Sequence, residues 1–316
     1  MGRYGCLLLL ELLTLSSFAQ DQPAYIQSFD QNLSGRLKFS MPFLTLNRHT
    51  ANGTFRFKPN NPLRIGVGLA LKNTLIDFTL GSKFNFLRDK KKGKTESFDL
   101  QVHHYGSRFV LDFTVQKYRG FYTEDRPGKN IGLYPDLKIL QYGLHGQYIF
   151  NHRRFSYKAA FIQSEQQIRQ AGTALIGGCV YFTEMEPDSS FREEMGNRFN
   201  NFQFGINGGY AYTWVLGAHW FISASLSLGI NLGNEDIRHF TKRKIEVYPA
   251  AFQRVAIGYN RDNWSIGFNS VHNLTFLSSS FHKGSSLYSG KIQLTYIRRF
   301  YFSRKPFRIR SQKITE

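Results

Sequence analysis

Charged and polar side chains lie inside runs of alternating residues, where they could form a buried reactive or binding network. The group comprises Arg64, Asp77, Asp99, Asp112, His145, Glu246 and Arg254. Alternate strand positions share one face, so the predicted strands would direct these groups to the inside of a closed sheet. Isolated charges in a narrow lumen are costly, and mutual pairing removes that cost. The sequence therefore favours a structural charge network over a transport or binding path.

No specific motif indicates covalent or metal chemistry. The chain has nine histidines and many serines, so a Ser, a His and an acid can always be selected, but no spacing matches a known hydrolase. His103 and His104 are adjacent, and adjacent strand residues face opposite sides. Gly205, Gly208 and Gly209 lie in a strand pattern without the helix that follows a phosphate loop. We predict no catalytic residue, no metal and no cofactor.

Two basic segments are the second set of candidate contacts. The formal net charge is +19, and the densest basic segments contain Lys90, Lys91, Lys92 and Lys94, and Lys242, Arg243 and Lys244. Solvated loop charge is the simplest interpretation. The functional interpretation is contact with anionic groups: lipopolysaccharide phosphates outside the cell, or phospholipid and peptidoglycan carboxylates in the periplasm.

The N-terminal end of the chain indicates export. Residues 1–19 are predicted to be a signal peptide, with Arg3, a Leu-rich run and a small-x-small site ending at Ala19. Residues 20–34 would be an N-terminal periplasmic segment, residues 35–300 the folded barrel, and residues 301–316 a basic C-terminal tail. Export argues against nucleic acid as a partner. Only Cys179 would remain after cleavage, so an intramolecular disulfide is excluded.

A period of two dominates the region between these ends. From Leu63 to Lys72 the odd positions are large and apolar, and from Ile222 to Leu232 the even positions are apolar against Ser, Gly and Asn. We mark fourteen such runs, Phe155–Gln163 among them, and predict an all-β fold: an antiparallel transmembrane β-barrel of about 12–14 strands. Arg119 to Pro135 is predicted to be a long connection. Ser164 to Gly172 breaks the alternation of short and long gaps, so either a strand is misread there or one long connection is periplasmic.

A secreted β-sandwich is the alternative fold, and the second strand face argues against it. The solvent face of a sandwich would carry many Lys and Glu, whereas here it carries mainly Gly, Ser, Ala, Asn and Thr. Aromatic residues such as Trp214, Trp220 and Trp264 fall near strand ends, as in interfacial girdles. The last run, Tyr288 to Phe300, resembles the aromatic-ended strand that outer-membrane assembly machinery recognises. That machinery and outer-membrane lipids are therefore the expected partners.

Five stretches carry a family resemblance. They are Tyr25–Asp30, Arg64–Gly68, Phe150–Tyr157, Gly208–Tyr212 and Gly258–Asn260. They resemble the Bacteroidota domain-of-unknown-function family numbered 4421, and the resemblance covers nearly the whole mature chain. It implies an exported barrel-like protein in the outer membrane of a Gram-negative bacterium, and it brings no activity, substrate or catalytic residue.

The function that these patterns favour is a non-enzymatic outer-membrane barrel, either a narrow pore or a structural and interaction protein of the envelope. The competing class is an outer-membrane lipid hydrolase or acyltransferase. A pore would conduct ions in planar bilayers, whereas an enzyme would release fatty acid and lose that activity on one Ser or His substitution.

Overall fold

The computed structural model describes residues 24–31, 33–50, 53–61, 63–71, 74–84, 89–126, 129–191, 199–234, 245–277 and 284–301. The predicted signal peptide lies outside these ranges, as do residues 302–316 of the predicted tail and the basic residues Lys242, Arg243 and Lys244. In the described ranges, no helix is both long enough and apolar enough to cross a membrane.

Nearly all described secondary structure is β. The strands are β1 (Ile26–Ser28), β2 (Leu33–Thr50), β3 (Gly53–Phe57), β4 (Leu63–Leu71), β5 (Thr74–Phe84), β6 (Glu96–Tyr105), β7 (Phe109–Arg126), β8 (Lys129–Ile149), β9 (Glu165–Gln167), β10 (Ala171–Glu186), β11 (Phe199–Leu216), β12 (Trp220–Asn234), β13 (Glu246–Asn260), β14 (Trp264–Phe276) and β15 (Gly284–Phe300). Short 3-10 helices cover Lys90–Lys92 and Ser189–Phe191, and a π-helical turn covers Lys158–Ile162.

Thirteen of these strands form one antiparallel sheet that curls into a barrel shape. Its order is β5-β4-β2-β15-β14-β13-β12-β11-β10-β8-β7-β6, with β3 attached to β2. The first long strand pairs with the last, with Leu33 opposite Phe300. At the other end β3 leads toward β7, where Lys58 and Tyr122 exchange two backbone hydrogen bonds of 2.9 Å. This isolated bridge joins β3 to β7, and the predicted all-β, antiparallel barrel fold is confirmed.

The distribution of side chains is inside-out relative to a water-soluble sheet. On β12, Ser223, Ser227 and Asn231 are buried. Leu228 is 63% exposed and Ile230 is 60% exposed. A sandwich would bury the leucines and expose the serines, so that alternative is wrong. The predicted face assignment is confirmed: the even positions of β12 point outward and the odd positions point into the lumen.

Two predicted elements are wrong. Phe155–Gln163 is not a strand, because it contains a π-helical turn at Lys158–Ile162. Phe155 and Tyr157 are fully buried, so the apolar residues of this run fill the lumen and do not belong to a paired strand. The predicted connection Arg119 to Pro135 is mostly strand. The register shifts between Arg119 and Phe121 at Gly120, whose φ of 84° forms a bulge, and the extra residue interrupts the period of two.

Candidate functional site

Four of the buried polar side chains meet in the middle of the lumen. Asp112 on β7 accepts hydrogen bonds from the Nδ1 atoms of His103 on β6, at 2.6 Å, and His145 on β8, at 3.1 Å. Arg254 on β13 reaches the same carboxylate from across the barrel, through both of its terminal nitrogens. Arg254 is 2% exposed. Asp112, His145 and Arg254 of the predicted set therefore meet in one cluster, together with His103.

The side chains around Asp112 compensate the charge of its carboxylate. Two imidazoles and one guanidinium surround the carboxylate, and the His145 ring also stacks on Phe252 at a centroid distance of 4.0 Å. The Nε2 atoms of both histidines are buried without a hydrogen-bond partner within the described structure. No group of three or more His, Cys, Asp or Glu side chains in the described ranges is arranged to hold a metal ion. The arrangement supports cross-barrel bracing.

Neutral side chains add further links across the lumen. The Gln147 amide on β8 donates to Asn207 on β11 at 2.9 Å and to Ser227 on β12 at 2.8 Å. Gln203 on β11 donates to the backbone carbonyl of Phe276 on β14 at 2.6 Å. These amides are long enough to span the interior and are themselves buried. They leave the middle of the barrel filled by side chains.

Asp99 on β6 is the centre of a second polar cluster, where β6 pairs with β7. Its carboxylate accepts hydrogen bonds from the Tyr118 hydroxyl at 2.5 Å, Gln116 at 2.8 Å and Gln101 at 2.9 Å. Arg64 on β4 does not bind this carboxylate; its guanidinium donates to the Asp99 backbone carbonyl at 3.2 Å. This contact joins β4 to β6.

Two predicted members of the network are not found in it. Glu246 lies at the start of β13, where its carboxylate accepts a hydrogen bond from Tyr248 at 3.1 Å. Arg254 lies eight residues further along, near the middle of β13, so Glu246 does not join the Asp112 cluster. The backbone of Asp77 pairs with Gly68 in β5, but its side chain lies outside the described residues.

A folded segment covers the end of the barrel at which Leu33 pairs with Phe300. Residues 151–170 connect β8 to β10, and β9 within them pairs with β1. The Gln163 amide donates to Asn260 at 3.0 Å, and its backbone carbonyl accepts a hydrogen bond from Arg299 at 2.7 Å. Gly267 makes room for it, since a Cβ there would lie 2.4 Å from Gln163 Oε1. We call residues 151–170 the floor segment.

The upper lumen is filled by apolar side chains. Those that form this cluster are Leu44, Leu46, Phe57, Tyr118, Phe121, Leu137, Ile139, Met185, Leu277 and Leu287. The lower lumen holds a second apolar cluster around the floor segment, in which Phe155 and Tyr157 pack edge to face at 4.9 Å. Polar layers thus lie between an apolar roof and an aromatic floor.

The first basic segment lies above the sheet and is partly neutralised. Lys92 pairs with Glu124 at 3.3 Å, and Lys94 pairs with Glu96 at 2.8 Å. Lys90 and Lys91 are exposed. Lys92 and Lys94 are therefore engaged in ion pairs, while Lys90, Lys91 and Lys94 are exposed at the surface.

One arrangement on the outside of the barrel was missed by the sequence reasoning. Ser270 and His272 are two residues apart on β14, and their side chains contact each other on the outer wall beside Tyr288. The spacing of two, which places both on one strand face, is the signal that could have identified the pair.

The comparison with protein families gives a match to the model described as Domain of unknown function (DUF4421), over residues 19–300. The chain belongs to this family. A search of curated proteins finds no match.

The solved structures with similarity to the chain include several outer-membrane barrels. OmpT, an outer membrane protein of Vibrio cholerae, has a TM-score of 0.28 and 8% identity, over 84% of this chain and 97% of that one. The outer membrane protease OmpT from Escherichia coli has a TM-score of 0.27 and 10% identity, over 86% and 98%. The toluene transporter TodX of P. putida has a TM-score of 0.21 and 8% identity, over 86% and 91%.

Proposed function

We propose that this chain is an outer-membrane barrel whose lumen is closed by its own side chains, and that it serves the envelope as a structural or interaction protein. A permanently open narrow pore is disfavoured. Outer-membrane lipids, lipopolysaccharide among them, and the outer-membrane assembly machinery are the proposed partners.

The boundaries of the apolar wall support a membrane position. Across β6, β7, β8 and β10, the outward residues Glu96, Arg119, Lys138 and Glu186 lie directly beside one another in register. At the other end of β8, Phe150 is exposed. Twelve residues separate Lys138 from Phe150, which corresponds to roughly 30 Å along the membrane normal for a strand tilted by about 40°. This height matches a bilayer.

The turn lengths support one orientation. The connections at residues 106–108, 217–219 and 261–263 are short, and they lie at the end where Leu33 meets Phe300. Bacterial outer-membrane barrels place their short turns in the periplasm. The floor segment would then face the periplasm, and the opposite end of the barrel would face outward.

The observation that carries the proposal is the contact between Arg254 and Asp112 across the lumen. β13 and β7 are separated by four intervening strands in the sheet order, so their side chains meet only because the interior is filled. A water-filled channel would keep such charges apart and solvated.

Single-channel recording in planar bilayers tests the proposal. The wild-type protein is expected to insert without stepwise conductance. Replacing Tyr157 and Phe161 by Ala should loosen the floor and produce transient openings, whereas replacing the outward Phe150 by Ala should leave the protein silent. Stable openings of the wild-type protein would refute a closed lumen.

A further inference from the structure

Polar side chains interrupt the lipid-facing side of β14. Its outward positions begin with Trp264, Ile266 and Phe268, which suit an interface and a hydrocarbon layer. The next two positions of the same parity are Ser270, which is only 7% exposed among its neighbours, and His272, which is half-buried. A polar pair on this face has no role in filling the lumen, so its presence calls for a separate explanation.

The three polar groups touch one another in sequence. Nε2 of His272 contacts the Ser270 hydroxyl, and Nδ1 of His272 lies 2.5 Å from the Tyr288 hydroxyl on β15. The imidazole also stacks on the Tyr288 ring, with centroids 5.3 Å apart and an interplanar angle of 20°. A nucleophile, a base and a group that orients the base are therefore in contact.

The neighbouring wall holds the imidazole in this position. Phe43 on β2 packs against His272 with a centroid distance of 5.4 Å and against Tyr288 at 5.2 Å. Gly290 lies opposite His272 in the ladder. A Cβ at Gly290 would be 3.0 Å from Phe43 Cζ. The missing side chain leaves room for the two aromatic rings that enclose the histidine.

We propose that Ser270 and His272 form an acyl-transfer site that acts on fatty-acyl esters of the surrounding membrane lipids. Tyr288 is a positioning residue. The Nδ1–H of His272 donates to the Tyr288 oxygen, so that Nε2 carries the lone pair that accepts the Ser270 proton.

The substrate class follows from the position of the site on the wall. Ser270 is six residues and His272 eight residues beyond Trp264, which corresponds to about 15–20 Å above the aromatic girdle for a tilted strand. This level is inside the apolar band, in the half distant from the floor segment, so acyl chains surround the site and the nearest ester groups lie about 10–15 Å above it at the interface. Met41, Phe268 and Leu294 are exposed nearby on the same wall and offer apolar surface to the acyl chains.

The reaction balances without a further reactant except water. The Ser270 oxygen attacks the ester carbonyl carbon while its proton moves to Nε2 of His272. Collapse of the tetrahedral intermediate breaks the bond to the alcohol oxygen, which takes the proton from His272 and leaves. Water, deprotonated by His272, then attacks the acyl-Ser270 carbonyl; the bond to the Ser270 oxygen breaks, that oxygen takes the proton back from His272, and the fatty acid leaves. The same acyl group would pass to an alcohol if one replaced water.

Gln253 is placed to stabilise the intermediate. It lies opposite His272 on the neighbouring strand β13, with its side chain exposed on the outer wall. Its amide N–H groups can donate to the oxyanion, and loss of one such donor costs about 10²–10³ in kcat in a serine hydrolase.

The test is fatty-acid release by the full chain in vesicles. One set contains phosphatidylethanolamine with a fluorescent acyl chain, and a second contains lipopolysaccharide, whose deacylation is read by mass spectrometry. These two sets distinguish the two sources of acyl ester. Ser270→Ala and His272→Asn should each reduce release by at least 100-fold.

Matched controls separate chemistry from folding. Ser289→Ala changes a serine on β15 that faces the lumen, and His104→Asn changes an outward histidine on β6; both should keep full activity. Tyr288→Phe keeps the ring stack and removes the hydroxyl, so kcat should fall while KM stays constant. All variants should retain heat-modifiable migration on gels.

A second readout does not depend on variants. A lipid-like fluorophosphonate, which reacts with activated serines, should label wild-type protein at the peptide that contains Ser270. The proposal is overturned if wild-type protein neither releases fatty acid from either vesicle nor is labelled at Ser270, or if Ser270→Ala retains wild-type release. Fatty-acid release and Ser270 labelling are measured independently of conductance. The acyl-transfer proposal can therefore be refuted while the closed-lumen proposal stands, and the reverse.

Discussion

Replacing Arg254 by Met should destabilise the barrel by removing the cross-lumen partner of Asp112. Arg254 and Asp112 are both buried, and two unit charges about 4 Å apart attract by about 4 kcal/mol at an effective dielectric constant of 20. Breaking a buried pair typically costs 3–5 kcal/mol, because the remaining charge has no full compensation. His103 and His145 still donate to the carboxylate, so we expect about 3 kcal/mol, the lower end of that range.

The assay is urea unfolding in lipid vesicles, followed by tryptophan fluorescence and by heat-modifiable migration. Asp112→Asn combined with Arg254→Met should recover part of the lost free energy of unfolding, since no isolated charge remains, with a coupling energy of about 1–3 kcal/mol. Arg298→Met is the matched control, because this arginine is exposed on the outer face of β15; its effect should stay below about 0.5 kcal/mol. An Arg254→Met effect as small as that of the control, or a strictly additive double variant, would refute the bracing role.

Three further predictions test separate parts of the structure. Leu226→Arg places a charge on the outward face of β12 and should cost about 2–4 kcal/mol of the free energy of unfolding in vesicles; Ser225→Ala on the opposite face should cost far less, and equal effects would contradict the face assignment. Gly267→Val should displace Gln163, because even a Cβ would lie 2.4 Å from its side-chain oxygen, and limited proteolysis should then cut the floor segment; a protected segment would show that the close approach is unimportant. Reducing agent should leave the thermal midpoint of the monomer unchanged, since Cys179 is a free buried thiol; a shift of several degrees would be inconsistent with this.

The sequence predicts the strands of the barrel wall better than the segments and side-chain contacts inside the lumen. Period-two alternation identifies β12 and its faces, because each residue there reports a single environment: lipid or lumen. The floor segment is different. Phe155, Tyr157 and Phe161 alternate like strand residues, yet they pack inward from a π-helical turn, and a short apolar run cannot distinguish these cases.

The lumenal contacts depend on which strands face each other, and one sequence does not contain that information. Asp112 and His145 are adjacent in the ladder, whereas the approach of Arg254 follows only from closure of the sheet. The Ser270–His272 pair was accessible to sequence reasoning through its spacing. Its third member, Tyr288, lies 16 positions after His272 and is brought there by the pairing of β14 with β15.

The most direct test of the central claim, an inside-out barrel embedded in lipid, is depth-dependent quenching of a probe on the outer wall. A bimane fluorophore attached to Leu228→Cys, midway along β12, should be quenched strongly by lipids brominated in the acyl chains and weakly by aqueous iodide. The same probe on Leu133→Cys, which is exposed on β8 beyond the charged row at Lys138, should show the reverse. Quenching of the Leu228 probe by iodide at the level of the Leu133 probe, with no effect of brominated lipid, would contradict the account.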